Sequence, residues 1–140
     1  GASVTDVDTP AVVVELEALE ANMRTLAESL SAFPEIAIRP DTGCHKSAEI
    51  AAMQMRYGKT VGVTCHKVSE AAAMADAVDN ILLASPVGTL HKARRLAALA
   101  RRGCHVTAVS DSMWATGLLS TAAHEEGVRL DVLVGLNVGA

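Results

Sequence analysis

Val61-Gly62-Val63-Thr64-Cys65-His66-Lys67-Val68-Ser69-Glu70-Ala71-Ala72-Ala73-Met74-Ala75-Asp76-Ala77 runs through Val78-Asp79-Asn80 into Ile81-Leu82-Leu83-Ala84-Ser85-Pro86. The short β-branched start, Val61-Gly62-Val63, reads as a strand. Val68 to Ala77 is Ala-rich and reads as a helix, because Ala loses no side-chain entropy there. Ile81 to Ala84 reads as a second strand, ended by Pro86. A strand, a helix and a strand in so short a span make a crossover, and crossovers join parallel strands.

The same grammar extends both ways. Downstream, Leu90 to Arg102 is a helix stopped by Gly103, and Arg94, Arg95, Arg101 and Arg102 crowd its later turns, where the helix dipole favours cations. Val106 to Val109 is a strand. Asp111 or Ser112 caps a helix to Glu126, stopped by Gly127, and Leu130 to Asn137 is the last strand. Upstream, Ser47 caps a helix to Tyr57 with Gly58 in the stop position, and Ile36-Ala37-Ile38 is a strand closing at Pro40. Leu16, Leu19, Met23, Leu26 and Leu30 share one helical face, ended by Phe33-Pro34. Strand starts recur about every 20 to 25 residues, near Ile36, Val61, Ile81, Val106 and Leu130. Either a doubly wound sheet or part of a (βα) barrel fits. No strand is followed by a Gly-rich dinucleotide fingerprint; Arg39-Pro40-Asp41-Thr42-Gly43 has one glycine.

Composition narrows the function classes. The 140 residues are half apolar, with 25 Ala, 16 Val and 14 Leu but one each of Phe, Tyr and Trp. That excludes a disordered chain and leaves no aromatic platform for single-stranded nucleic acid. A net charge of −4 argues against nucleic-acid partners generally. No apolar run reaches the roughly 18 residues of a membrane helix. Gly1-Ala2-Ser3 has no signal-peptide character and reads as an expression scar. Three cysteines, at no spacing that suggests disulfides, fit a reducing compartment, so the expected localisation is cytoplasmic.

In a parallel βα sheet, ligands sit beyond the carboxyl ends of the strands. Two such ends repeat each other: Cys44-His45-Lys46-Ser47-Ala48-Glu49-Ile50-Ala51-Ala52-Met53 parallels Cys65-His66-Lys67-Val68-Ser69-Glu70-Ala71-Ala72-Ala73-Met74 at an offset of 21 residues. The plain account is that two adjacent units start an Ala-rich helix in the same way. The chemical account takes two forms. Lys46 and Lys67 offer a Schiff-base amine and a neighbour that depresses its pKa. Alternatively, Cys44, His45, Cys65 and His66 offer a ligand set that suits zinc. Adjacent residues of an extended chain point to opposite faces, which weighs against the zinc form. Arg39 at a strand end is costly unless paired or bound to an anion. Asp111 reads as a helix cap, His91 and His124 as surface residues, and Cys104-His105 as structural. No G-x-S-x-G elbow supports a serine triad.

Asp8-Thr9-Pro10-Ala11-Val12-Val13-Val14-Glu15-Leu16-Glu17-Ala18-Leu19-Glu20-Ala21-Asn22 resembles the DTPxLxxDLDxLExN opening of the D-threonine aldolase and D-serine dehydratase-like proteins. These are pyridoxal-phosphate enzymes of the alanine-racemase fold, fold type III. Arg39-Pro40-Asp41-Thr42-Gly43-Cys44-His45-Lys46-Ser47 is similar to their RPHxKTHKS segment, continued by Glu49-Ile50-Ala51. Gly62 to Cys65 with Val68-Ser69-Glu70-Ala71 is similar to their second strand and helix start. Lys67 stands where the related hydroxyaspartate aldolases also have lysine. Ile81 to Ala84 with Pro86-Val87, and Asp131 to Gly139, resemble the later strands. The resemblance selects the barrel over the doubly wound sheet.

The resemblance implies a pyridoxal-phosphate-dependent lyase that cleaves or dehydrates small 3-hydroxy-D-amino acids such as D-threonine. It also shows departures. The fifth residue of RPHxKTHKS is the lysine that holds the cofactor as a Schiff base, and here it is Gly43. The third, usually His, is Asp41. The family's acidic VEIDxG strand is here Val134-Gly135-Leu136-Asn137-Val138-Gly139. The candidate catalytic residues are therefore Lys67, Lys46 and His45, and the candidate cofactor-binding residues are Arg39, Asp41, His66 and Asn137. No residue is assigned to a metal, although a divalent metal suits the Cys and His side chains.

A complete barrel needs eight units and roughly 250 residues. The expectation is one partial (βα) TIM-type barrel domain over 1–140, with about five parallel strands and 1–14 as an N-terminal arm. Open sheet edges predict a homo-oligomer. The competing reading is a non-catalytic or engineered barrel fragment, binding a metal or nothing.

Overall fold

The computed structural model describes residues 3–57 and 59–139; Gly58, expected as a helix stop, and Gly1-Ala2 lie outside the described residues. After a single 3-10 turn, Val4–Asp6, come helix α1 (Leu16–Ser31), helix α2 (Ala48–Arg56), strand β1 (Val63–Cys65), helix α3 (Val68–Met74) and strand β2 (Asn80–Leu83). Helix α4 (Leu90–Arg101), strand β3 (His105–Ser110), helix α5 (Met113–Glu126) and strand β4 (Asp131–Val134) follow. The strands form one sheet in the order β1-β2-β3-β4, each parallel to the next. This is the partial barrel that the family resemblance implies, with four strands in the sheet where about five were expected. Among the described residues no helix is long and apolar enough to cross a membrane.

The core lies on one face of the sheet. Val63, Cys65, Ile81, Leu83, Val106 and Ala108 alternate along their strands and are buried beneath the helices. Ala71, Ala93, Ala97 and Ala122 are fully buried on α3, α4 and α5. Their small side chains let the helices approach the strands closely, which accounts for the Ala-rich composition. On the other face Thr64, Asn80, Leu82, Thr107 and Val109 are half-buried. The helix punctuation holds in detail. Ser112 accepts a hydrogen bond from the Ala115 N–H at 3.2 Å and caps α5, and Gly127 ends it at φ 64°.

The last strand ends at Val134, short of the expected Asn137, and two segments at the other edge of the sheet also differ from the sequence reading. The expected strand at Ile36–Ile38 is reduced to two isolated parallel bridges, Ile38 with Thr60 and Asp41 with Thr64. The second expected strand lies two residues later than Val61–Val63. These last two differences have one cause. Val61 N–H bonds the Ile38 carbonyl at 3.0 Å, and Thr64 N–H bonds the Pro40 carbonyl at 2.7 Å. Two steps along one segment thus match three along the other, so the second carries an extra residue, a bulge. Gly62 sits in it at φ 146°, and a Cβ there would fall 2.2 Å from Arg39 Nη1 and 2.4 Å from the Asn80 carbonyl oxygen. Pro40, with no N–H, cannot extend the ladder.

Among the described residues the N-terminal arm joins no strand, and Val12 is 94% exposed. Helix α1 buries no residue fully. Its Leu19, Met23 and Leu30 are half-buried, whereas Leu16 and Leu26 of the expected face are exposed. Lys59, at φ 70°, holds its end by donating from Nζ to the carbonyls of Leu30 and Phe33.

Candidate functional site

The carboxyl end of β1 and the edge segment beside it bring Asp41 and His66 together. Thr42 positions Asp41. Its N–H bonds the Thr64 carbonyl at 2.9 Å, its Oγ1 donates to the same oxygen at 3.0 Å, and it is fully buried. From there the Asp41 Oδ2 lies 2.7 Å from His66 Nε2. Asp41 Oδ1 accepts the Gly43 N–H at 2.7 Å. The hydrogen bond with His66 first, and that from Gly43 second, hold the Asp41 carboxyl below its ordinary value. The two side chains are 45% and 50% exposed, so the pair meets solvent.

His66 is fixed from behind. Glu70 Oε2 accepts the N–H groups of His66 and Lys67 at 3.0 and 3.1 Å, and so satisfies donors at the start of α3. Burial pushes the Glu70 pKa up, but the N–H groups of His66 and Lys67 outweigh it and the carboxyl is held below its ordinary value. In the matching unit the device differs. Ser47 accepts the Ile50 N–H at 3.2 Å and donates to Glu49 at 2.8 Å. Lys46 there adopts φ 53°, and His45 turns back so that its Nδ1 accepts the Ser47 N–H at 3.1 Å. Among the described residues the His45 Nε2 is buried without a hydrogen-bond partner. The two repeats therefore share a sequence without sharing a conformation.

The remaining candidates separate. Arg39 reaches across Gly62, and its Nη1 donates to Asn80 Oδ1 at 2.8 Å. Burial lowers its pKa. Lys46 and Lys67 are exposed. Asn137 lies past β4, at the far edge of the sheet, where its Oδ1 accepts the Gly139 N–H at 3.0 Å. Cys65 is buried with its Sγ 3.3 Å from Thr42 Oγ1, and burial raises its pKa, while Cys44 is exposed. The Cys and His side chains of the two repeats therefore do not converge. Among the described residues no group of three or more His, Cys, Asp or Glu is placed to hold a metal ion.

The geometry also tests the cofactor that the motifs imply. Gly43 offers no amine, and a Cβ built on it would stand 2.9 Å from Asp41 Oδ1 and 3.6 Å from His66 Cδ2. The Asp41 carboxyl crowds the first atom of a side chain at position 43, while His66 stands at ordinary contact distance from it. The residues present do not fit a pyridoxal phosphate held there as an imine. Sequence reasoning singled out Asp41, Gly43 and His66 but not their mutual contact. It missed Asn80, for which the sequence holds no signal. Glu70 was legible as a carboxylate three residues after a helix cap.

No family model matches the chain. It is 33% identical over 141 residues to the 3-hydroxy-D-aspartate aldolase of Paracoccus denitrificans, an alignment covering 100% of this chain and 36% of that protein. It is 34% identical over 134 residues to the D-threonine aldolase of an Arthrobacter species, covering 95% of this chain and 35% of that one. The crystal structure of D-threonine aldolase from Filomicrobium marinum superposes with a TM-score of 0.88 at 39% identity, over 97% of this chain and 36% of the other. The chain thus spans little more than a third of the length of these relatives.

Proposed function

We propose that this chain, a relative of the D-threonine and 3-hydroxy-D-aspartate aldolases, is the partial barrel of a lyase for small 3-hydroxy-D-amino acids in which imine formation has been lost. The observation that carries this reading is Gly43, which has no amine and whose N–H is held by the Asp41 carboxyl that also pairs with His66. In the relatives' kind of chemistry pyridoxal phosphate acts as an electron sink for the substrate carbanion. In this chain Asp41 holds a negative charge, His66 holds a proton at Nε2 against it, and Glu70 and Thr42 fix the two backbones. That dyad can give or take a proton at a solvent-facing site. Arg39 is a positioning residue, tied to Asn80. His45, Lys46, Lys67 and Asn137 keep the standing of candidates.

The same reading has the chain acting in the cytoplasm as one domain in a homo-oligomer. For the cytoplasm its support is the free cysteines Cys44, Cys65 and Cys104. The test is to incubate the chain with pyridoxal phosphate, reduce with borohydride, digest, and map the labelled lysines, with D-threonine and 3-hydroxy-D-aspartate supplied in parallel. The expected result is no site-specific label and no substrate consumed. A single label on Lys67 or Lys46 together with substrate turnover overturns the reading, and makes that lysine the replacement for the one missing at Gly43.

A further inference from the structure

The basic residues of α4 divide into two sets. Arg94 and Arg101 pair with Glu125 and Glu126 of α5, with contacts of 2.7 and 3.1 Å, and Arg102, just past the helix, pairs with Asp76. Lys92 and Arg95 lie three residues apart and share another face, turned towards the start of α3. With Lys67 they line one cavity of about 230 Å³, to which Ser69 and Ser85 add hydroxyl groups. Among the described residues none of the three cations makes an ion pair. Glu70, the acid nearest to Lys67 in sequence, has its Oε2 on the N–H groups of His66 and Lys67, and its charge offsets part of that of Lys67 without a direct ion pair.

Three cations around one concavity repel each other, and the cost is relieved when an anion enters. Guanidinium and ammonium groups together with hydroxyl donors match the oxygens of a phosphate group, and Leu83, Pro86 and Val87 form an apolar wall beside them. We infer that this cavity between α3 and α4 is a binding site for a phosphate dianion, free or as a small phosphate monoester, held by Lys67, Lys92 and Arg95. The cavity adjoins the candidate site and shares His66 and Lys67 with it, whereas Lys92 and Arg95 of α4 belong to the cavity and not to that site.

Isothermal titration of the chain with inorganic phosphate and with glycerol 3-phosphate, at fixed ionic strength, tests the site. The variants are Lys92→Gln, Arg95→Gln and, as a control, the paired Arg101→Gln. Saturable binding is expected, with the dissociation constant rising about tenfold in each of the first two variants and staying unchanged in the control. Tighter binding of glycerol 3-phosphate assigns the site to a monoester, and equal or weaker binding assigns it to free phosphate. Absence of saturable binding, or equal affinity in all the variants, overturns the proposal. The two exposed substitutions leave the core untouched, and circular dichroism of each variant separates lost binding from lost folding.

Discussion

At residue scale the chemistry turns on Asp41, whose charge is set by two contacts. Because its carboxyl is held low in the folded chain, it adds stability above the unfolded value of about 4, and that contribution is lost as pH falls through the lowered folded value. Asp41→Asn is therefore expected to be less stable than the parent near about pH 6, with the gap narrowing as pH falls below about 4, read from urea midpoints. Gly62 makes a second point. A methyl group there meets both Arg39 and the Asn80 carbonyl at a φ that disfavours side chains. Gly62→Ala should cost about 2 to 4 kcal/mol in denaturant unfolding. Gly88→Ala, with no atom within 4 Å of the new Cβ, should be neutral or slightly stabilising.

At the scale of elements, helix limits were legible because their signals are local. Ser47, Ser112 and Gly127 each act through a neighbour within four residues. Ser47→Ala should accordingly destabilise the chain by about 1 kcal/mol, seen as a lower denaturation midpoint. The edge strand was not legible in the same way. Ile36-Ala37-Ile38 has the right composition, but whether it pairs depends on its partner's register, and register is a long-range property. The site shows the same limit. The motifs gave Asp41, Gly43 and His66 as unusual positions, yet the Asp41–His66 contact spans 25 residues and needed the fold to bring it about. Asn80, the partner of Arg39, is 41 residues away and carries no mark of its own.

For the whole molecule, the packing is one-sided. The fully buried apolar residues gather between α3, α4, α5 and one face of the sheet, while α1 lies loosely over the edge segment. Stability is expected to follow that division. Leu96→Ala, at a side chain with no exposure, should cost about 2 to 5 kcal/mol. Leu26→Ala, at one that is 51% exposed, should stay within about 0.5 kcal/mol. Differential unfolding of the two variants checks this. The resemblance to the aldolases was readable from the order of motifs along the chain, and the superposition on a D-threonine aldolase agrees with it.

The extra residue at Gly62 works as a phase marker for everything after it. Strand positions alternate between the two faces, so removing one residue there would swap their parity along β1. Val63 and Cys65 would leave the helices, Thr64 would enter the apolar layer, and His66 would turn away from Asp41. Length changes at this join are therefore confined to even steps, whereas the loops after the helices have no such arithmetic to obey.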